Sequence, residues 1–344
     1  MLEKNVLQGE HIPQLMRAIA LEKPNDHIEL VDIEVPVPIC SDSELLVKIE
    51  SVGLNPRDAQ FIATGFCGRW EFPHVLGLDA VGVVVQAPKG VHPNIGERVM
   101  WHADVEGQGV LSEYAKVPNF AVSVVPDNVK INEAATLPSA GMAAIIAISK
   151  VHLIDGFTIF VESGAGAVGQ FAIQLAKQAG ADVFTTASKR NHSLVRKLGA
   201  DVVFDYKEKN LCQKLNRELG SQGFDAVIDS VGGESTIRNI RLMRFSGRIA
   251  CLKPLPVFED YILYKKAPNI SVVSLDGAWI SNSLCAQQKM GFMGNTLLES
   301  VANNDIKVPQ IYLVEFNAES VTTALQKQLA GGFTGKQIVE IIKP

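Results

Sequence analysis

Cysteine is scarce in this chain and never clustered. Its five thiols, Cys40, Cys67, Cys212, Cys251 and Cys285, are scattered over 344 residues with no Cys-x-x-Cys pair. That spacing suits reduced, structural thiols in a reducing compartment. Long apolar runs are missing too: the longest, Ala134 to Ile148, is interrupted by Pro138, Ser139 and Gly141 and is too short to span a bilayer. The first residues carry Glu3, Lys4, Glu10 and Pro13 and no apolar core, so they do not read as a secretory signal. Strong charge is also absent. A net charge of −5 argues against a broad electrostatic grip on nucleic acid or an anionic membrane. No internal repeats or low-complexity tracts appear. What remains is the composition of a soluble globular protein, 47% hydrophobic and 20% charged, expected in the cytoplasm and long enough for two domains.

The most informative stretch is Val161-Glu162-Ser163-Gly164-Ala165-Gly166-Ala167-Val168-Gly169. It reads as a glycine-rich turn from a strand, Phe157 to Val161, into a helix starting near Ala167. In such a turn Gly164 allows the tight bend, Gly166 lets the backbone approach a pyrophosphate, and Gly169 lets helix and strand pack closely. The anion is expected on the free N–H groups of Ala167 and Val168 at the positive end of the helix dipole. Glycines alone are weak evidence, so the setting decides. The upstream run is β-branched and aromatic, and Val168, Phe171, Ala172, Leu175, Ala176 and Ala179 recur downstream at helical spacing before Gly180. Together these indicate a dinucleotide site. Glu162 would oppose a pyrophosphate if it pointed inward, so it is expected to point away.

The end of the next strand, Asp182 to Thr186, discriminates between cofactors. A site selective for NAD usually places Asp or Glu there for the ribose 2′-hydroxyl. This chain continues Ala187-Ser188-Lys189-Arg190, with no acid until Asp201. A hydroxyl and two cations suit a 2′-phosphate, because charge-assisted bonds to phosphate are strong. A solvated basic loop is the plainer alternative for Lys189 and Arg190. The joint pattern favours NADPH.

Residues 1–16 read as an N-terminal extension before a first strand at Arg17 to Leu21. From there to about Pro126 the chain is strand-rich and punctuated by turns. A strand–helix alternation follows, with strands at Phe157–Val161, Asp182–Thr186, Asp201–Asp205, Asp225–Asp229, Arg248–Leu252 and Ile270–Leu275. That rhythm predicts an α/β fold with a doubly wound parallel sheet. The tail has a helix around Gln287 to Val301, a strand at Ile311 to Val314, a helix at Ser320 to Leu329 and a strand at Gln337 to Ile342, and is expected to return to the first domain. The division is therefore 1–138 with 281–344 as one domain and 139–280 as the cofactor domain.

The ordered motifs Asn55-Pro56-Arg57-Asp58, Gly77-Leu78-Asp79-Ala80-Val81-Gly82, Gly96-Glu97-Arg98-Val99, Ser112-Glu113-Tyr114, Ala134-Ala135-Thr136-Leu137-Pro138, the glycine turn, Asp229-Ser230-Val231-Gly232-Gly233 and Gly335-Lys336 span nearly the whole chain. On these the sequence resembles the medium-chain dehydrogenase/reductase superfamily, specifically its zinc-free quinone oxidoreductase branch, related to zeta-crystallin. The resemblance implies a GroES-like β-rich catalytic domain beside a Rossmann domain, and a homodimer. The zinc-dependent branch needs a Cys near Asn55, a His-Glu pair near Leu78-Asp79 and a cysteine tetrad, all missing here. His74, His92, His102 and His152 are accordingly read as surface or satisfied histidines, and no metal site is expected.

Without a Lewis acid the fitting chemistry is hydride transfer from NADPH to a small electron-poor acceptor, a quinone or enone. The resemblance implies that Asn55 lies near the nicotinamide, hydrogen-bonding the ribose or steadying the substrate carbonyl; a turn residue before Pro56 is the plainer reading. It implies that Tyr206 lines the adenosine end, where a buried strand-end aromatic is the alternative, and that the loops at Val231 and Leu252 flank the ribose and nicotinamide. Asp79 reads as a structural hydrogen-bonding residue. Two departures stand out: Ala143 replaces a frequent Thr, and Phe66-Cys67 stand where a cleft tyrosine is common, leaving water as the proton source. Two other functions stay open: an NADPH-binding structural or sensing protein with little turnover, and a 2-enoyl thioester reductase.

Overall fold

A computed structural model describes residues 4–6, 11–220 and 222–341. By internal contacts the chain forms two compact units, residues 1–139 with 275–344, and residues 140–274.

The first unit is built on the strand Glu44–Leu54, whose side chains are buried along most of its 11 residues. It pairs antiparallel with Asp79–Pro88, with Tyr114–Pro118 and with the tail strand Lys336–Glu340. Asp79–Pro88 in turn carries Arg98–His102. A strand buried on both sides cannot alternate apolar with polar, which explains why Leu45, Leu46 and Val47 run consecutively into the core. A smaller sheet of three strands is made by Leu15–Leu21, Val31–Pro36 and His74–Val75. The tail therefore does return to the first sheet, through pairs such as Val339 with Val52.

The expectation of an extension over residues 1–16 needs correction. Lys4–Val6 forms a strand that pairs antiparallel with Gln86 to Pro88, and the next strand begins at Leu15 rather than Arg17. The open edge of Asp79–Pro88 offers hydrogen-bond partners that no local pattern in residues 1–16 announces. Residues 1–3 and 7–10 of the extension lie outside the described residues, as does Ile342.

The second unit holds a six-stranded sheet, all parallel, as the strand–helix rhythm predicts. Its spatial order is Val202–Phe204, Asp182–Thr186, Thr158–Val161, Phe224–Asp229, Met243–Cys251 and Asn269–Val272. The order reverses between Thr158–Val161 and Phe224–Asp229. In such sheets ligands bind outside the carboxyl ends of the strands at this switch point. Phe160 stacks on Phe224 at 5.1 Å within the core beneath.

Candidate functional site

Two groups of residues stand out, one in each unit. In the second unit, the glycine turn leaves the strand Thr158–Val161 and enters the helix Ala167–Gln178. Side-chain sterics assign each glycine a different task. A Cβ on Gly164 would sit 2.1 Å from Thr185 Oγ1, and one on Gly169 would sit 2.4 Å from the Ser163 carbonyl oxygen. Both glycines are therefore demanded by the protein's own packing. A Cβ on Gly166 would meet only Ser163, at 3.3 Å or more. Internal packing hardly requires that glycine, which leaves space for a ligand to approach the backbone. The residue that bends the chain is Ser163, with φ of 59°, rather than Gly164. No side chain caps the N-terminus at Gly166, so the first N–H groups of the helix, among them those of Ala167 and Val168, are available to an anion. This cradle fits a pyrophosphate.

Glu162 is buried, and burial raises its pKa while Arg238 opposes the rise. It pairs with Arg238 and accepts a 2.8 Å bond from Asn239 Nδ2, so its carboxylate is held by the helix Glu234–Leu242.

In this unit the other expected cofactor residues follow carboxyl ends of neighbouring parallel strands. Ser188, Lys189 and Arg190 follow Asp182–Thr186, and Val161 lies opposite Thr185 in the register. Lys189 and Arg190 are exposed. The first acid downstream, Asp201, is already engaged: it accepts from Lys177 Nζ at 2.9 Å and from the Val183 N–H at 2.7 Å. Tyr206 follows Val202–Phe204 and is 52% exposed, which rules out the buried strand-end alternative. Val231 and Leu252 follow the two strands beyond the switch point, and Asp229 shapes both loops. Its carboxylate accepts from the N–H groups of Val231 and Gly232 and from Thr236, and its carbonyl accepts from the Leu252 N–H.

In the first unit, Asn55 is buried within a polar network. Its Nδ2 donates to the Gly53 carbonyl at 3.2 Å and to Asp79 at 2.9 Å, and its Oδ1 accepts from Lys336 Nζ. Both amide hydrogens are spent, so Asn55 keeps only acceptor capacity. It cannot donate to a substrate carbonyl without breaking a bond it already makes. Asp79 is fully occupied, accepting from Asn55, from Lys336 at 3.1 Å and from both the N–H and hydroxyl of Ser139. Its reading as a structural hydrogen-bonding residue agrees with this geometry.

Sequence reasoning missed several members of this group. Lys336, quoted only as a motif residue, is the buried cation holding Asn55 and Asp79 together. Asp58 reaches back to the Asn55 N–H at 2.7 Å while its Oδ1 has no partner among the described residues. Burial, and then the neighbouring Asp79, pushes its pKa up to about 7. Arg57 donates to Asp276 at 2.6 Å, and His102 lies 3.8 Å from the same carboxylate, its Nδ1 without a partner among the described residues. His102 is thus neither a surface histidine nor a fully satisfied one. His74 stacks on Trp70 at 4.0 Å, and burial lowers its pKa to about 4. Ala143 is buried, and Phe66 packs edge-on against Phe61 at 4.6 Å, so neither presents a polar group. Among the described residues no set of three or more His, Cys, Asp or Glu side chains is placed to hold a metal ion. No described helix is long and apolar enough to cross a membrane.

Comparison with known proteins gives matches in both units. Residues 41–127 match the alcohol dehydrogenase GroES-like domain, and residues 167–253 match the family described as zinc-binding dehydrogenase. The trans-enoyl reductase tazE of Aspergillus terreus is 32% identical over 216 residues, 58% of this chain and 71% of that protein. The chloroplast envelope quinone oxidoreductase homolog of Arabidopsis thaliana is 36% identical over 214 residues, 59% of this chain and 64% of that protein. The solved structure of the quinone oxidoreductase from Coxiella burnetii superposes with a TM-score of 0.81 at 26% identity, covering 95% of this chain and 100% of that one.

Proposed function

The chain belongs to the medium-chain dehydrogenase/reductase superfamily, and from that premise we propose that it is an NADPH-dependent reductase of quinones or related electron-poor enones, working without zinc. The observation that carries the cofactor choice is the end of the strand Asp182–Thr186. It offers Ser188, Lys189 and Arg190, and the first acid beyond it is tied to Lys177 and a backbone N–H. Nothing there repels a 2′-phosphate.

When bound, NADPH supplies a hydride from its nicotinamide ring. The protein's part is then binding and orientation. The N–H groups of Ala167 and Val168 would hold the pyrophosphate beside Gly166, in a turn whose shape Gly164 and Gly169 keep, while Tyr206 would line the adenosine and the loops at Val231 and Leu252 would flank the ribose and nicotinamide. Asn55, held rigid by Lys336 and Asp79, would act toward the nicotinamide ribose only as an acceptor. Zinc has no footing in this reading, because an amide and Leu78 stand where the metal-dependent branch needs a thiolate and an imidazole. The edge strand Asn269–Val272, with Val272 half exposed, suits the pairing of two copies that the resemblance implies.

A second reading is reduction of the double bond of a 2-enoyl thioester, favoured by the name of the tazE relative. Initial rates on a panel of quinones, enones and enoyl thioesters, each with NADPH and NADH, separate the readings. Absence of turnover on every acceptor would leave an NADPH-binding protein of another role. Lys189→Ala weakens NADPH by about 1.5–3 kcal/mol and NADH hardly at all; equal losses would overturn the 2′-phosphate assignment. A chelator leaves the rate unchanged, and inhibition reversed by zinc would refute the metal-free assignment.

A further inference from the structure

In the second unit, the segment from Ala187 to His192 carries Ser188, Lys189 and Arg190 between the strand Asp182–Thr186 and the helix His192–Lys197. Its entry is fixed by backbone bonds. The Ala187 N–H donates at 2.9 Å to the carbonyl of Phe204 on the neighbouring strand. Just before it, the Thr186 carbonyl accepts from the Gly164 N–H at 2.9 Å, and the Thr186 hydroxyl accepts from the Ser163 N–H at 3.2 Å. The strand end is therefore tied to the glycine turn. Beyond it Lys189–Asn191 form a short 3-10 helix, closed by the Asn191 N–H on the Ser188 carbonyl at 2.8 Å.

The exit is fixed by a ring. His192 Nε2 lies 3.1 Å from the Ala187 carbonyl oxygen, which joins the two ends of the segment. A carbonyl can only accept, so the hydrogen is on Nε2, and the bond survives whether or not Nδ1 also carries a proton. Ala187 is buried, Ser188 and His192 are half-buried, and Lys189 and Arg190 are exposed. The ring thus grips a buried backbone group while the cations between the grip points face water. A 3-10 helix of this length has poor hydrogen-bond geometry of its own, so a side-chain bond across its ends counts heavily toward its shape.

We infer that His192 is a positioning residue for cofactor selectivity: by pinning the Ala187 carbonyl it presets the loop in which Ser188 and Lys189 would meet the 2′-phosphate. The inference rests on the NADPH reading and adds to it the residue that shapes the phosphate loop. His192 has no need to touch the phosphate. Its contribution is preorganisation, since a loop already closed costs less to order when the anion arrives. The effect falls on ligands that carry the 2′-phosphate and spares those that lack it.

The test compares 2′,5′-ADP with 5′-AMP, fragments that differ only in the 2′-phosphate and need neither turnover nor a nicotinamide. Their Kd values are measured by calorimetry on the full chain. His192→Phe keeps the ring volume and loses the donor. In it the Kd of 2′,5′-ADP rises about three- to tenfold, the worth of one hydrogen bond, while that of 5′-AMP moves by less than about twofold. His192→Gln brings an amide N–H to the same carbonyl, and its preference returns to within about twofold of the wild type. Equal losses for both fragments in His192→Phe would make the ring a general prop of the fold and overturn the inference. A His192→Gln protein as impaired as His192→Phe overturns it too, because the hydrogen bond is then not what acts. If the wild type prefers 2′,5′-ADP and His192→Phe keeps that preference, the inference alone falls. If the wild type binds the two fragments equally, the NADPH reading fails and takes the inference with it.

Discussion

The two groups of candidate residues, one in each unit, are built on opposite plans. In the second unit the groups proposed for the cofactor are mainly backbone N–H groups at one uncapped helix end, set within nine consecutive residues from Val161 to Gly169. In the first unit the groups are side chains, buried and mutually bonded, drawn from residues 55, 58, 79, 139 and 336. A backbone cradle tolerates change in most of its side chains but not in its shape. A buried charge network has the reverse sensitivity, because each partner removed strands another in low dielectric.

Removing the buried cation tests that contrast most severely. Lys336→Met leaves Asp79 charged and short of a partner, and is expected to cost about 3–5 kcal/mol in urea unfolding. A loss below about 1 kcal/mol would mean that Ser139 and Asn55 suffice for Asp79. The glycine turn gives a sharper, internal comparison. Gly169→Ala forces a Cβ within 2.4 Å of the Ser163 carbonyl and is expected to destabilise the fold by about 1–3 kcal/mol. Gly166→Ala is expected to leave the melting temperature near that of the wild type while weakening NADPH about tenfold or more, as read by fluorescence titration. If both variants melt early, the division between a packing glycine and a binding glycine is lost.

Proton linkage gives a smaller effect, confined to two groups of the first unit. The folded chain keeps a proton on Asp58 up to about pH 7, whereas the unfolded chain releases it near 3.8. The stability this carries is fully present below 3.8 and is lost as pH rises through about 7. Asp58→Asn should therefore gain on the wild type in melting temperature between about pH 4 and pH 7, and the gap should then level. His74 acts in the opposite sense. Its folded pKa of about 4 lies below the ordinary 6.5, so its burial costs stability as pH falls from 6.5 toward 4. Smallest of all, Ser188→Ala should weaken NADPH by about 0.5–1.5 kcal/mol and spare NADH.

The same contrast explains what the sequence could disclose. The parallel sheet and the turn were legible because each strand, helix and glycine sits in a local pattern of the right period. The bend at Ser163 was not, since a serine in the left-handed region carries no signature of its own. Lys336 illustrates the harder case. It meets Asn55 across 281 positions and Asp79 across 257, and no hydrophobic period or spacing rule relates residues so far apart. Resemblance supplied the motifs, yet neither the spent amide of Asn55 nor the orphaned Oδ1 of Asp58 could be anticipated without coordinates. The strand at Lys4–Val6 went unseen for a related reason: its partner is an edge, and an edge accepts many sequences.

The position of Lys336 also sets an order of events on the ribosome. Residues 140–274 form a complete unit as soon as they emerge, and can collapse while the polypeptide is still growing. The unit begun earlier must wait, because the strand Lys336–Glu340 closes its sheet and brings the ammonium to Asp79. The part translated before residues 140–274 is thus finished after them, and until Lys336 arrives Asp79 lacks its ammonium partner.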